Sequence, residues 1–196
     1  TEFYRHIAVN VLYLKLGFLA LFIVESKSGS GTILQKGERE TMATLNAEHI
    51  NPFLMAAKKV LQDMCFVDAT MQKPSLKEAK FDPDTWVIMI GVTGEMRGQV
   101  IMAMSEKSAC GIASKMCMTD VKEIDEFAAS ALSELGNMVM GNAATVFSSN
   151  GIGIDITPPT LSHGQVSFTN TFAKNLCVPL TFEDTKVELY LALKQG

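Results

Sequence analysis

The sequence predicts an α/β (α+β) domain in which a mainly antiparallel sheet packs against two long helices. Three observations predict it. Helical and strand-like stretches follow one another in the order helix, strands, helices, strands, which is the pattern of a layered mixed fold. The strand-like stretches are short and joined by short connections, as antiparallel pairing allows. The chain also carries an internal echo. Glu48-x-x-Asn51 is followed 23 residues later by Pro74, and Glu134-x-x-Asn137 is followed 22 residues later by Pro159. After each proline comes a Gly-Gln-Val run, in "RGQVIMAMS" and in "HGQVSFTNT". A duplicated unit would supply one long helix and half of the sheet from each copy.

Each element has its own signal. Asn51-Pro52 reads as an N-cap with proline at the first helical position. It opens a helix to about Cys65, with Phe53, Ala56, Ala57, Val60 and Leu61 on one side. Residues 66–84 hold Pro74 and Pro83 and read as loop plus a short strand. "TWVIMIGVTG" (85–94) and "RGQVIMAMS" (97–105) form a hairpin around Gly94-Glu95-Met96. Residues 106–117 read as a helix capped by Ser105. The longest helical pattern runs from Val121 to about Phe147 and carries an apolar stripe that includes Ala128, Leu132, Leu135, Met138, Val139 and Ala143. Ser149-Asn150-Gly151 stops it. Short strands follow in "IGIDITPPT", "QVSFTNTFA", "LCVPLTFE" and "KVELYLAL". Pro179, inside the third of these, marks an edge or a bulge.

Composition narrows the function. Hydrophobic residues make up 47% and charged residues 19% of the 196, so the chain can bury a core and is not a disordered one. The net charge of −4 argues against a nucleic-acid surface, which needs clustered Lys and Arg. Cys65, Cys110, Cys117 and Cys177 form no CxxC pair, and His6, His49 and His163 stand in no ligand spacing. The expectation is therefore no metal site and free thiols in a reducing compartment.

Residues 1–41 read differently from the remainder. "IAVNVLYLKLGFLALFIV" (7–24) is apolar apart from Asn10 and Lys15, and a polar Gly/Ser-rich stretch follows. A membrane anchor, a signal peptide, an ordered extra element and a non-native upstream extension all compete here. The run is marginal for a span of about 20 residues, and no A-x-A-like cleavage site follows Val24. Lys36-Gly37-Glu38-Arg39-Glu40 just before Met42 can be encoded by purine-rich codons like a ribosome-binding site. The expectation is a flexible or non-native extension over 1–41 and a single domain over 42–196, for which no membrane contact is expected.

The candidate site lies on the longest helix. Residues three and four apart are neighbours on a helix surface, so Ser130, Glu134, Asn137 and Gly141 make one stripe, opposite much of the apolar one. Gly136 and Gly141 each cost a helix about 1 kcal/mol relative to Ala, which points to close approach by the sheet or by another protein. In the first half, Pro52 disfavours helical conformation at Asn51, so Glu48 and Asn51 straddle a helix start. Whether that pair is a second active site stays open.

"FAASALSELGNMVMGNAATVF", followed by Pro158-Pro159-Thr160 and His163-Gly164, resembles the CheC/CheX/FliY phosphatases of bacterial chemotaxis. The family motif is Asp or Ser, three residues, Glu, two residues, Asn, then about 22 residues to a Pro. Here it reads Ser130, Glu134, Asn137, then 21 residues to Pro159, one fewer than the pattern, or two fewer if Pro158 is the counterpart. With one intact copy and one doubtful one, the chain is most similar to the CheX-type members. The resemblance covers about Met42 to Gly196.

The resemblance implies a cytoplasmic homodimer built by joining sheets. It implies that the substrate is a phosphorylated CheY-type response regulator, whose aspartyl phosphate is hydrolysed with Glu134 and Asn137 as the catalytic pair. Ser130, Gly141 and Pro159 would support the site or touch the partner. No cofactor is expected on this chain, and Mg²⁺ is expected in the response regulator. A non-catalytic receiver-binding module of a two-component or flagellar switch pathway is the alternative.

Overall fold

The computed structural model describes residues 47–166 and 175–196. The expectations for residues 1–41, and for the strand in "QVSFTNTFA" beyond Val166, lie outside these. The chain divides into two compact units, Thr1–Asn51 and Pro52–Gly196. Of the first, only the opening turn of a helix is described. No described helix is long and apolar enough to cross a membrane.

That helix, α1 (Ala47–Cys65), corrects the expected boundary: it begins before Asn51 and holds Pro52 inside it. Asn51 is therefore not the N-cap. Pro52 has no N–H to donate to the carbonyl four residues back, so one helical bond is lost. Packing outweighs that loss, because Phe53, Leu54, Ala57 and Leu61 are all fully buried.

Two short strands, β1 (Thr70–Met71) and β2 (Ser75–Lys77), follow it. The hairpin is then made by β3 (Thr85–Gly94) and β4 (Met96–Ser105), in register from Thr85↔Ser105 to Val92↔Gly98. Helix α2 (Glu106–Cys117) starts where predicted, with the Ser105 hydroxyl accepting from the Ser108 N–H at 3.2 Å. Helix α3 (Glu126–Ser149) starts later than Val121. Asp125 is extended, and its carboxylate accepts the Ala128 N–H at 2.8 Å. The cap sets the helix start, and Val121-Lys122-Glu123-Ile124 stay outside it. Strands β5 (Ile154–Ile156), β6 (Thr160–His163), β7 (Asn175–Phe182) and β8 (Thr185–Gln195) complete the chain.

The eight strands form one sheet in the order β1-β7-β8-β4-β3-β5, with β2 also on β7 and β6 also on β3; every pairing is antiparallel. Exchanging β1–β4 with β5–β8 gives the same order read from the other edge. A duplicated half has this topology, and the prolines of the echo fall where it requires. Pro74 precedes β2, and Pro159 precedes β6. The Gly-Gln-Val half of the echo does not correspond: Gly98–Val100 lies on β4, whereas Gly164–Val166 follows β6.

Pro179 is not on an outer edge but in β7, opposite Glu188 of β8. Its carbonyl accepts from the Gln72 N–H at 2.8 Å on the other side. It sits at the gap between β1, paired to residues 180–181, and β2, paired to 175–177. The N–H that proline lacks would point into that gap, so the ladder loses nothing there.

Period-two alternation divides the sheet. Ile88, Ile90, Val100, Met102, Leu189 and Leu191 are buried on one face. α3 lies against that face through Gly136, where a Cβ would stand 2.6 Å from Ile88 Cγ2. α1 and α3 meet at Phe53 and Phe147, with ring centroids 5.0 Å apart. The other face carries a smaller cluster: Val87, Ile101, Ala103, Cys177 and Tyr190 under Ala79 and Phe81.

Candidate functional site

Both walls of the site hang from β3. One wall is the exposed side of α3, held close to the strand by Gly136. The other is the connection between β5 and β6, and both of these strands pair with β3, at Thr93↔Asp155 and at Met89↔Thr160. Between them, Thr157 is tied to the same strand. Its N–H donates to the Gly91 carbonyl at 3.0 Å, and its hydroxyl oxygen accepts the Gly91 N–H at 2.9 Å. The result is an open cleft of about 890 Å³, with Ser130, Ser133, Glu134 and Asn137 on one side and Thr157, Pro158 and Pro159 on the other.

The cleft brings together Ser130, Glu134, Asn137 and Pro159 as the sequence pattern predicted. Pro158 lines it as well. Gly141 is not part of the lining. It lies one turn beyond Asn137, with nothing within 4 Å of where a Cβ would be. Of the two glycines, Gly136 serves the sheet, and Gly141 leaves open ground on the helix. Met138, in the apolar stripe by its spacing, is only partly buried, whereas Met140 is fully buried.

Glu134 and Asn137 are both exposed. The Asn137 amide points to the Glu134 carboxylate at 3.5 Å, a separation at the outer limit of hydrogen bonding that locks neither side chain. The Ser130 hydroxyl donates to the Glu126 carbonyl at 3.0 Å and the Ser133 hydroxyl to the Ala129 carbonyl at 3.0 Å. Ser130 thus bonds back to its own helix and not to Glu134, as helix serines commonly do. Two carboxylates, Glu126 and Glu134, line the cleft, with no Lys or Arg among the lining residues, so the cleft is acidic. Burial pushes the Cys65 and Cys177 thiols up to about 11, and no cysteine lines the cleft. What the arrangement offers is a carboxylate to pair with a positive group and a carboxamide to hold a water. Among the described residues no His, Cys, Asp and Glu cluster is arranged to hold a metal ion.

The pair in the first half differs. Glu48 is exposed, but Asn51 is only 6% exposed. Pattern reading missed Thr157 and Ser133 as lining residues, and the one available signal was Gly91. A glycine inside a strand marks a close approach of another group, and a Cβ there would lie 3.0 Å from Thr157 Cγ2.

The chain is similar to known proteins over this region. The family model described as chemotaxis phosphatase CheX matches residues 86–180, which include every residue lining the cleft. The CheY-P phosphatase CheX of Thermotoga maritima is 30% identical over 154 residues, 78% of this chain and 99% of that protein. The CheX–CheY–BeF3–Mg²⁺ complex from Borrelia burgdorferi contains a chain 32% identical, with a TM-score of 0.65, covering 74% of this chain and 97% of that one. A CheC-like superfamily protein from Shewanella sp. PV-4 is 25% identical, with a TM-score of 0.68, over 76% and 99% of the two chains.

Proposed function

We propose, from the premise that this chain belongs to the CheX family of chemotaxis phosphatases, that it hydrolyses the aspartyl phosphate of a phosphorylated CheY-type response regulator. The observation that carries the reading is the placement of Glu134 and Asn137, side by side and exposed on α3, on the wall of an open acidic cleft.

The chemistry needs little from the enzyme beyond placement. A water oxygen attacks phosphorus in line with the aspartyl carboxylate, the P–O bond to that carboxylate breaks, and inorganic phosphate and a free aspartate result. A carboxamide is too weak a base to remove a proton, but its donor and acceptor together fix a water's orientation. In this reading Asn137 aims the water. Glu134 pairs with a lysine of the response regulator, which fixes the register of docking more than it adds affinity. The Pro158–Pro159 wall limits where the partner can sit. Ser130, bonded to the backbone, shapes the helix surface, and Gly141 leaves room for the partner beyond it. Any Mg²⁺ stays with the response regulator.

A homodimer acting in the cytoplasm completes the proposal. Its sheet-joining contact would form at an edge blunted by short strands, β1 and β2 or β5 and β6. Light scattering of the purified chain at twice the monomer mass supports it, and a monomer overturns it.

The test of function is phosphate release from a phosphorylated CheY-type receiver domain. Wild type should accelerate it, and Asn137→Ala should lose roughly 100-fold, equivalent to about 2.7 kcal/mol of barrier, with binding kept. Glu134→Ala should weaken docking first. Binding without any acceleration by wild type would replace the enzyme with a receiver-binding module.

A further inference from the structure

Phe127 stands on the catalytic helix two turns before Glu134, and it is 66% exposed. Nothing in the local structure calls for an aromatic ring there. The helix start is capped by the Asp125 carboxylate on the Ala128 N–H. A hydrophobic staple would join the residue before the cap to the fourth helical one, here Ile124 and Ala129, and it leaves Phe127 out. Phenylalanine is also a weaker helix former than Ala or Glu. The other large apolar side chains exposed among the described residues, Phe66 and Met118, are not on α3.

Its position has a regularity. Phe127, Glu134 and Gly141 follow at seven-residue steps, and seven residues advance a helix by about 10 Å while nearly completing two turns. The three therefore form a row along α3: an exposed ring, a carboxylate, and a glycine with open space over it. An isolated apolar ring on a surface needs no explanation, but one aligned with the charged residue of a docking face continues that face. Aromatic side chains carry much of the affinity in protein interfaces, while polar pairs set register.

We propose that Phe127 is the apolar anchor for the receiver domain: its ring seats against the response regulator beside the contact made by Glu134 and determines how tightly the partner is held. It is a positioning and specificity residue and takes no part in the chemical step. The inference rests on the reading of α3 as the receiver-binding face.

The test measures binding and turnover separately. The probe is a CheY-type receiver domain loaded with beryllofluoride and Mg²⁺ for binding, and the phosphorylated domain for turnover. Phe127→Ala should raise both Kd and KM about tenfold with kcat unchanged, and Phe127→Leu should recover most of the affinity. Unchanged Kd and KM in Phe127→Ala overturn the proposal. So does a change confined to the mass of the free protein, because the ring would then cover a second copy of the chain. If wild type binds the loaded receiver but does not speed phosphate loss, the phosphatase reading fails; a tenfold weaker Kd in Phe127→Ala would still support the anchor.

Discussion

Thr157 and Gly91, 66 residues apart, hydrogen-bond each other in both directions, N–H to carbonyl at 3.0 Å and N–H to hydroxyl oxygen at 2.9 Å. This closed pair fastens the Pro158–Pro159 wall to β3, the strand against which α3 also rests at Gly136. Thr157→Val keeps the side-chain shape but removes the oxygen that accepts the Gly91 N–H. The lost bond should cost about 1 kcal/mol of stability. A wall misplaced by a fraction of an ångström should lower kcat/KM for the phosphorylated receiver by roughly tenfold. Thr157→Ser retains the oxygen and should stay near wild type. Equal activity in the Val and Ser variants would show that the wall's position does not matter.

The two glycines of α3 predict opposite responses to the same substitution. A Cβ at Gly136 would lie 2.6 Å from Ile88 Cγ2 and 3.2 Å from Ile90 Cδ1. Gly136→Ala should therefore destabilise the fold by about 1–3 kcal/mol through overpacking, despite the gain in helix propensity. At Gly141 no atom lies within 4 Å, so Gly141→Ala should stabilise the chain by up to about 1 kcal/mol. That corresponds to a rise in Tm of about 2–4 °C. If the partner lies over Gly141, the same substitution should raise KM. Melting curves beside kinetics separate these effects, and a Tm that falls in both variants would contradict the packing described here.

Much of the fold was legible because its signals are local. Two β-rich runs around Gly94-Glu95-Met96 located β3 and β4, and the Ser105 cap and the Ser149-Asn150-Gly151 stop are read within a few residues. The stripe Ser130–Glu134–Asn137 follows from helical spacing, and the structure does place all three on one cleft wall. What escaped the sequence was decided by long-range contact. Pro52 looks like a first helical residue until the burial of Phe53 and Leu54 draws the helix past it. The start of α3 is a local exception: residues 121–124 look helical, but the Asp125 cap three residues from Ala128 sets the start at Glu126. Thr157 carries no pattern of its own; its role exists only because β5 and β6 return to β3.

The face of the sheet away from α3 carries a half-buried carboxylate whose ionisation contributes to stability. Burial by itself would raise the Glu188 carboxyl. Hydrogen bonds from Lys186 (2.6 Å), Lys77 (2.9 Å) and the Tyr190 hydroxyl (2.8 Å) outweigh that and hold it at about 2. The same contact raises Lys77 above its ordinary range. A carboxyl depressed in the folded state stabilises the protein above its unfolded pKa of about 4.3, and that contribution is lost as pH falls toward 2. Glu188→Gln should lower stability at neutral pH by about 2–3 kcal/mol and flatten the loss of stability between roughly pH 4.5 and 2. Urea titrations of both proteins across that window check it; parallel pH profiles would show that the three donors do not hold the charge.

Each half of the chain carries an Asn in a Glu-x-x-Asn pair, but the two are not equivalent. Asn137 is exposed on the cleft wall. Asn51 is 6% exposed, and neither atom of its amide has a hydrogen-bond partner among the described residues. A carboxamide in that setting cannot present a water to a bulky phosphorylated partner, so Asn51→Ala should leave kcat and KM unchanged where Asn137→Ala loses roughly 100-fold. Its effect on stability should also be small, because removing a buried polar group without a partner relieves a desolvation cost that offsets the lost contacts. Phosphate release measured for Asn51→Ala, Asn137→Ala and the double variant decides between one working site and two. Residual activity in Asn137→Ala that disappears only in the double variant would assign a second site to the first half of the chain.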